Sequence, residues 1–467
     1  LTSDSYEVVV VGGGIAGMVT AVRAAELGRK VAVLERLADD RYLCNTRLTG
    51  GVFHCALNDV RTPPDELARI IVNATEGVAA PELAQMLARN AQRGVQWLQS
   101  LGIRFVRGSA DPWHSFVLAP PGIAQLGRQW EGRAGDVLLR SLEAQLVKLG
   151  GVLLRGHEAK SLRMDQGRCV GVTVATAEGA VDFAAKAVVL ADGGFQANKD
   201  LLAEHVTKEP AQVIQRNAGS GIGAGLRMAI EAGAAVSDLG GFYGHVLSHD
   251  GLVNDMLWPY PWLDELLKNY VVVGPDARRF ADEGRGGVYI ANRIAKLDAP
   301  DSAWVVCDEA GWNGAGTERF LPPNPNLEKA GATVLRADSL EALAAKAGLD
   351  VQALQAEIER YNAAVAAGKA GDLSPERSTH KYAALPITRA PFYAIPVAAG
   401  ITYTMGGMRI DAHCRVLAGS GSPIPGLHAV GSTTGGLEGG PKVAYVGGLV
   451  KATATALVCA EQLSEDL

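Results

Sequence analysis

Apolar runs closed by glycine punctuate this chain, and the sharpest comes first. Val8-Val9-Val10-Val11, after Tyr6-Glu7, is the unbroken run that a strand buried on both faces needs, and it stops at Gly12-Gly13-Gly14-Ile15-Ala16-Gly17. A helix follows through Ala21-Val22-Arg23-Ala24-Ala25-Glu26-Leu27-Gly28, then a second buried strand, Val31-Ala32-Val33-Leu34, closed by Glu35 and Arg36. Between Pro63 and Leu101 the positions Leu67, Ile70, Ile71, Leu83, Met86, Leu87, Val95 and Leu98 predict two amphipathic helices. A loop from Pro120 to Gly135 leads to a helix over Asp136 to Leu149. Gly151 to Leu154 and Cys169 to Val174 predict successive strands of a hairpin-rich layer. Ala187-Val188-Val189-Leu190 reads as a further buried strand, placed beside the first, and Asn217 to Gly225 opens a helix over Leu226 to Ala232.

From Ser237 to about Ser374 the texture changes. Aromatics and prolines gather at Trp258-Pro259-Tyr260-Pro261-Trp262, a helical tract runs from Ser339 to Ala366, and glycine-rich text returns near Ala399. The expected division is a nucleotide-binding domain in two parts, 1–236 and 376–467, interrupted by a capping domain, 237–375. The fold class is α/β: a Rossmann-like domain with an inserted α+β cap.

The spaced glycines have separate jobs. Gly12 makes the tight turn, Gly14 lets backbone approach a pyrophosphate, and Gly17 lets the helix pack closely on the strand. The helix N-terminus, with Ala16 in its first turn, then presents free N–H groups to phosphate. Glu35 stands where a carboxylate accepts ribose hydroxyls. A lone glycine motif says little; strand, turn, helix, strand and acid in register predict dinucleotide binding.

Composition narrows the setting. At 467 residues, 48% hydrophobic, the chain exceeds one core, and its net charge of −6 argues against nucleic acid as a partner. Its six cysteines lack a CxxC or any zinc-ligand spacing, so a reduced, metal-free cytoplasmic protein is expected. No apolar run reaches the roughly 18 residues of a spanning helix, so no membrane span is expected.

Seven stretches, in order, carry a resemblance: Val11 to Gly17, Asn45 to Gly51, Ala191 to Phe195, Gly219 to Gly225, Arg278-Arg279-Phe280-Ala281-Asp282-Glu283, Thr404-Met405-Gly406-Gly407, and Pro425 to Gly436. They resemble the flavoprotein family of fumarate reductase, the succinate dehydrogenase flavoprotein, tricarballylate dehydrogenase and the ketosteroid dehydrogenases. The resemblance implies FAD, a capping domain, and hydrogen transfer across a carbon–carbon bond beside a carbonyl or carboxyl group. Carried onto this chain, it implies FAD contacts at Gly12, Gly14, Ala16, Gly17, Glu35, Arg36, Asn45, Thr46, Gly50, Gly51, Ala191, Gly193, Gly431, Gly447 and Gly448.

Three departures bear on chemistry. Asn45 stands where respiratory members carry FAD on a histidine, so the flavin is expected to be non-covalent. Thr402 and Tyr403 stand where dicarboxylate enzymes place a carboxylate-binding histidine, and Tyr445 replaces the family's arginine. Arginine is the natural bidentate partner of a carboxylate, so fumarate and succinate become poor fits.

The reaction needs an acceptor or donor for hydride, which FAD supplies, a group that polarises the carbonyl, and a proton donor or acceptor. Tyr445 resembles the ketone-binding tyrosine of ketosteroid dehydrogenases, with the N–H groups after Gly447-Gly448 completing an oxyanion-type pair. Tyr403 is a further catalytic candidate. For the proton, Arg285 matches the arginine donor of fumarate reductases if a short gap is allowed; the alternative is a salt bridge with Asp282 or Glu283. Tyr243, Tyr260, Tyr270 and Tyr289 compete for that role, with His245 and His249 near the family's substrate-side histidine. The aromatic run Trp258 to Trp262 is expected in the cap's core, and Lys442 in solvent.

The expected activity is FAD-dependent desaturation of a CH–CH bond in a small ketone or keto acid, cyclic if the aromatics line the site, with an external electron acceptor such as oxygen or a carrier. The rival is a carboxylate oxidoreductase of the fumarate reductase or tricarballylate dehydrogenase kind. A flavin-bearing electron-transfer or sensing subunit without its own substrate is the third.

Overall fold

The computed structural model describes residues 6–122, 126–127, 129–319 and 321–467. Positions 123–125 and 128, inside the loop expected from Pro120 to Gly135, therefore lie outside the described residues, as do 1–5 of the expected first domain. Tyr6–Val11 forms a central strand with Val8 to Val11 buried. It pairs in parallel with Val31–Glu35 on one edge, Val8 opposite Val31, and with Gly179–Leu190 on the other, Val8 opposite Ala187. Across the sheet the order is Arg415–Leu417, Pro423–Ala429, Gly179–Leu190, Tyr6–Val11, Val31–Glu35 and Val152–Arg155. Strands on the two sides of Tyr6–Val11 are reached in opposite directions, which opens a crevice at the strands' carboxyl ends, where α/β sheets bind ligands.

Close approach explains two of the glycines at that crevice. Gly12 has φ +107°, and a Cβ on it would lie 2.7 Å from the Ala191 carbonyl oxygen. A Cβ on Gly17 would lie 1.9 Å from the Gly12 carbonyl oxygen, so helix Ile15–Glu26 seats against the turn only with glycine there.

The hairpin layer differs from its expected form. Val152–Arg155 joins the parallel sheet, Ala32 opposite Val152, and the antiparallel layer consists of Glu158–Asp165, Arg168–Thr176 and the first part of Gly179–Leu190. Four apolar residues after a helix do not say which neighbour they choose; the short turn at Gly156-His157 turns the chain out of the first sheet. The helical tract of the cap is two helices, Leu340–Ala347 and Val351–Ala366, separated by Gly348 in the left-handed region.

A second, six-stranded sheet is built on the long strand Phe392–Thr404. Phe242–Ser248, Ala303–Cys307 and Leu335–Ala337 run antiparallel to it, and Ile214–Gln215 runs parallel. This sheet extends past both ends of the 237–375 segment, because the texture change marks where the chain leaves the nucleotide crevice, not where strands pair. Opposite Phe242–Ser248 the register steps from Tyr243–Tyr403 to Gly244–Ile401, leaving Thr402 as the extra residue of a bulge. A bulge re-aims the groups beside it, and the carbonyl and hydroxyl oxygens of Thr402 each accept a hydrogen bond at the site described next. Among the described residues no helix is long and apolar enough to cross a membrane.

Candidate active site

One cavity of about 300 Å³ runs from the carboxyl ends of the first sheet to the second sheet. Its first half is built from the glycine turn. Gly12, Gly14 and Ala16 line it, and helix Ile15–Glu26 begins there without a capping side chain of its own. Its first-turn N–H groups therefore face the cavity, apart from Ile15, which donates to Thr46 Oγ1 at 3.0 Å. Glu35 is buried, and its carboxylate is held by the N–H groups of Gly13 and Leu37, each at 3.0 Å, with Arg36 beside it. Gly50, Gly51, Ala191 and Gly193 supply the opposite wall. Asp192, half-buried among them on the cavity wall, has its carboxyl pushed up to about 6 by desolvation.

Gly17, Gly431 and Gly447 lie behind this wall. Their bare α-carbons allow close packing: a Cβ on Gly431 would stand 2.7 Å from Ala16 Cβ, and one on Gly447 2.2 Å from the His54 carbonyl oxygen. An uncapped helix start, a carboxylate held at the second strand's end and bare backbone between them fit an extended dinucleotide. Asn45 is committed at both ends of its amide, donating to the Thr402 carbonyl at 2.9 Å and accepting from Ala218 N–H at 2.9 Å, and it carries no nucleophilic ring nitrogen.

Aromatic rings line the second half. Tyr445 stacks on Tyr243 with ring centroids 3.8 Å apart and 14° between planes, and meets His54 edge-on at 5.3 Å. The Tyr445 hydroxyl accepts from Gly448 N–H at 3.1 Å. Burial lifts that hydroxyl well above the ordinary tyrosine range, so it stays protonated and has its hydrogen to donate.

Tyr243 begins a relay. Its hydroxyl lies 3.0 Å from His245 Nε2, and His245 Nδ1 lies 2.6 Å from Asp264 Oδ2. The other Asp264 oxygen accepts from Val246 N–H at 2.9 Å. Burial holds His245 below the usual histidine pKa although Asp264 opposes it, so the imidazole is neutral. Asp264 fixes its one hydrogen on Nδ1, which leaves Nε2 as the acceptor of the Tyr243 hydroxyl. A Cβ on Gly287 would collide with the Asp264 carboxyl at 1.9 Å, so this carboxylate nests against the N-terminus of helix Gly287–Ala295, whose dipole favours its charge.

The structure sorts the candidates. Tyr403 lines the cavity, but its hydroxyl donates to Glu438 Oε1 at 2.8 Å, and Glu438 pairs with the fully buried Lys451 at 3.2 Å. Tyr260 also lines the cavity; Tyr270, Tyr289 and His249 do not. Arg285 is not brought to the site: it turns back to Asp282, 3.5 Å away, and lies over the Tyr289 ring. The reason is local, since Asp282 caps the turn that carries Arg285. Lys442 pairs with Glu76 at 2.8 Å on the surface. Trp258 and Tyr260 are buried, as expected of core residues, and with Trp262 they also border the cavity.

Two participants escaped the sequence reading. Arg216 lines the aromatic half, with Nη1 donating to Thr402 Oγ1 at 2.8 Å and Nε to the Pro259 carbonyl at 3.1 Å. Its position just before Asn217-Ala218-Gly219 was the available signal. Asp264 had none, because nothing local links it to His245, 19 positions earlier.

Comparison with known proteins agrees with this geometry. The FAD binding domain family matches residues 7–443. The chain belongs to that family. Its cofactor is FAD, and the flavoproteins it is similar to are oxidoreductases. A 3-ketosteroid Δ1-dehydrogenase structure from Sterolibacterium denitrificans aligns with TM-score 0.74 over 99% of this chain and 100% of its own, at 19% identity, which speaks for the fold. An NADH:acrylate oxidoreductase of Vibrio harveyi is 29% identical over 78% of this FAD-family chain, which spans about a third (35%) of that relative's length. A 4-oxocyclohexanecarboxylate 2-dehydrogenase of Sinomonas cyclohexanicum is 26% identical, over 92% of this chain and 88% of its own.

Proposed function

We propose that this flavoprotein desaturates a CH–CH bond beside the carbonyl of a small cyclic ketone, passing the electrons to an external acceptor. The observation that carries the reading is the meeting on the cavity wall of Tyr445, paired with Gly448 N–H, and Tyr243, which is backed from outside the lining by His245 and Asp264. The oxidoreductases named above, one acting on a cyclic keto acid by its name, support it. Six unpaired, buried cysteines suit a reducing compartment such as the cytoplasm.

FAD, when bound, supplies the two-electron acceptor, and Asn45 argues for a flavin held without a covalent bond at that position. The residues of this chain do the rest. The Tyr445 hydroxyl and Gly448 N–H, now spent on each other, both turn to the ketone oxygen and stabilise the charge that builds there. Polarisation acidifies the α C–H. Its proton passes to the Tyr243 oxygen while the Tyr243 proton passes to His245 Nε2, and the imidazolium formed is held by Asp264. Tyr243, half-buried and with its pKa raised well above the ordinary value by desolvation, is a poor base alone, and the relay removes the need for a free tyrosinate.

Anaerobic titration of the purified holoenzyme tests this: a saturated ring ketone such as cyclohexanone, at high concentration, bleaches the oxidised flavin. Indifference to every ring ketone, together with re-oxidation of the reduced flavin by an unsaturated acid, overturns the reading in favour of a carboxylate reductase.

A further inference from the structure

Arg216 stands out as a cation without a counter-ion. Among the described residues it has no carboxylate within ion-pair distance, although the guanidinium is partly buried beside a cavity. The acids of this region are already engaged: Asp264 with His245, Glu438 with Lys451. Nor do the histidines compete for a negative group, since burial pushes His54 down to about 4 and holds His245 below its usual range. Arg216 is thus the one arginine or lysine among the described residues that line the aromatic half, Lys451 behind it being spent on Glu438.

Its position is set with care. Nη1 is tied to Thr402 Oγ1 and Nε to the Pro259 carbonyl, while the rings of Tyr260 and Trp262 lie 5.4 and 5.5 Å from the guanidinium carbon. Thr402 is also the bulged residue of its strand. Of the five N–H donors of an arginine, one is given to Thr402 Oγ1 and one to the Pro259 carbonyl, the Tyr260 hydroxyl adds a further side-chain contact, and among the described residues no carboxylate takes any of the rest. A partly desolvated, preoriented guanidinium without a counter-ion between aromatic walls is costly to maintain alone and complementary to a planar anion.

We infer that Arg216 binds a carboxylate of the substrate, so that the compound taken by this site is a ring ketone carrying a carboxylate, one end read by Arg216 and the ketone by Tyr445. This rests on the ketone-desaturating reading for the second half of the statement only. Arg216 is a specificity residue: it holds the far end of the ring and takes no part in moving the proton. Its field also favours negative charge at Tyr243 and Tyr445, the direction in which charge builds during proton removal.

The experiment separates the anion site from the reaction by using ligands that lack a ketone. Cyclohexanecarboxylate and its neutral isostere cyclohexanecarboxamide are titrated into oxidised holoenzyme, and binding is read from the flavin difference spectrum. The carboxylate is expected to bind about tenfold more tightly or better, and Arg216→Gln brings the ratio near one; tenfold corresponds to about 1.4 kcal/mol. Should Arg216→Gln lose its flavin, Thr402→Val is read instead, with the ratio expected to fall severalfold as the guanidinium loses its anchor. Equal binding of the two ligands by the wild type overturns the inference, as does a ratio unchanged in the variant that retains flavin. Equal weakening of both ligands also overturns it, since it assigns Arg216 to the flavin or the wall. Bleaching by cyclohexanone, measured separately, decides the ketone reading whatever the anion result.

Discussion

Asp264→Asn is the substitution that reads the relay most directly, because the structure dictates which way the new amide must face. Asp264 Oδ1 accepts from Val246 N–H, and an asparagine keeps that contact only by leaving its oxygen there. Its NH2 group then points at His245 Nδ1, where the aspartate oxygen lay at 2.6 Å. An NH2 donor cannot face an N–H donor, so the imidazole hydrogen moves to Nε2 and meets the Tyr243 hydroxyl, 3.0 Å away, as a donor. Tyr243 loses the acceptor for its proton while every heavy atom stays in place. General-base assistance contributes roughly 10²–10⁴ in rate, and the loss is expected in that range, near 10³, or about 4 kcal/mol of barrier. The assay is rapid mixing of oxidised holoenzyme with saturating ring ketone, following flavin bleaching, with flavin content checked by absorbance. Flavin content and the affinity for a non-reacting ligand stay within about twofold of wild type. A variant that bleaches within threefold of the wild-type rate refutes the relay, and one that loses both rate and ligand affinity assigns Asp264 to the architecture.

The other predictions follow from neighbouring contacts. Tyr445→Phe keeps the stack on Tyr243 and the FAD but loses the hydroxyl beside Gly448 N–H, and is expected to lower kcat about 10²–10³-fold; near-normal turnover removes Tyr445 from the ketone site. Glu35→Ala frees the Gly13 and Leu37 N–H groups and removes the ribose acceptor, and should raise the Kd for FAD about tenfold or more in reconstitution followed by flavin fluorescence; an unchanged Kd ends that role. His428, buried in strand Pro423–Ala429 with neither ring nitrogen hydrogen-bonded, has its pKa pushed down to about 4 by desolvation. The unfolded chain takes up this proton near pH 6.5 and the folded one only near 4, so stability is complete above 6.5 and falls as pH drops toward 4, by about 3 kcal/mol. His428→Phe should flatten this part of the pH profile in denaturant melts, and an unaltered acid limb would show that His428 does not titrate as described.

How much of this could be read from the letters depends on whether the chemistry is local. The nucleotide half is: Val8 to Val11, the glycine turn and Glu35 lie within thirty-five residues, and one helical turn plus one strand end fixes their relation. Tyr445 could be singled out because its hydroxyl partner, Gly448, is three residues on. The acid–base assignment was not local. Tyr243, Tyr260, Tyr270 and Tyr289 are equal as text, and what ranks them is a strand pairing that sets Tyr243 opposite Tyr403 and places Asp264, from a separate short helix, behind His245. Arg285 failed for the complementary reason. A motif gave its neighbourhood in the chain, yet the direction of a long side chain is not written in a motif, and this one turns to Asp282, 3.5 Å away, and does not line the cavity. Arg216 does not stand out as text because an arginine before a glycine loop is ordinary, and its anchor, Thr402 Oγ1, lies 186 residues away along the chain. In this chain the tyrosine relay and the arginine are assembled by long-range pairing, whereas the cofactor half is left to contiguous text.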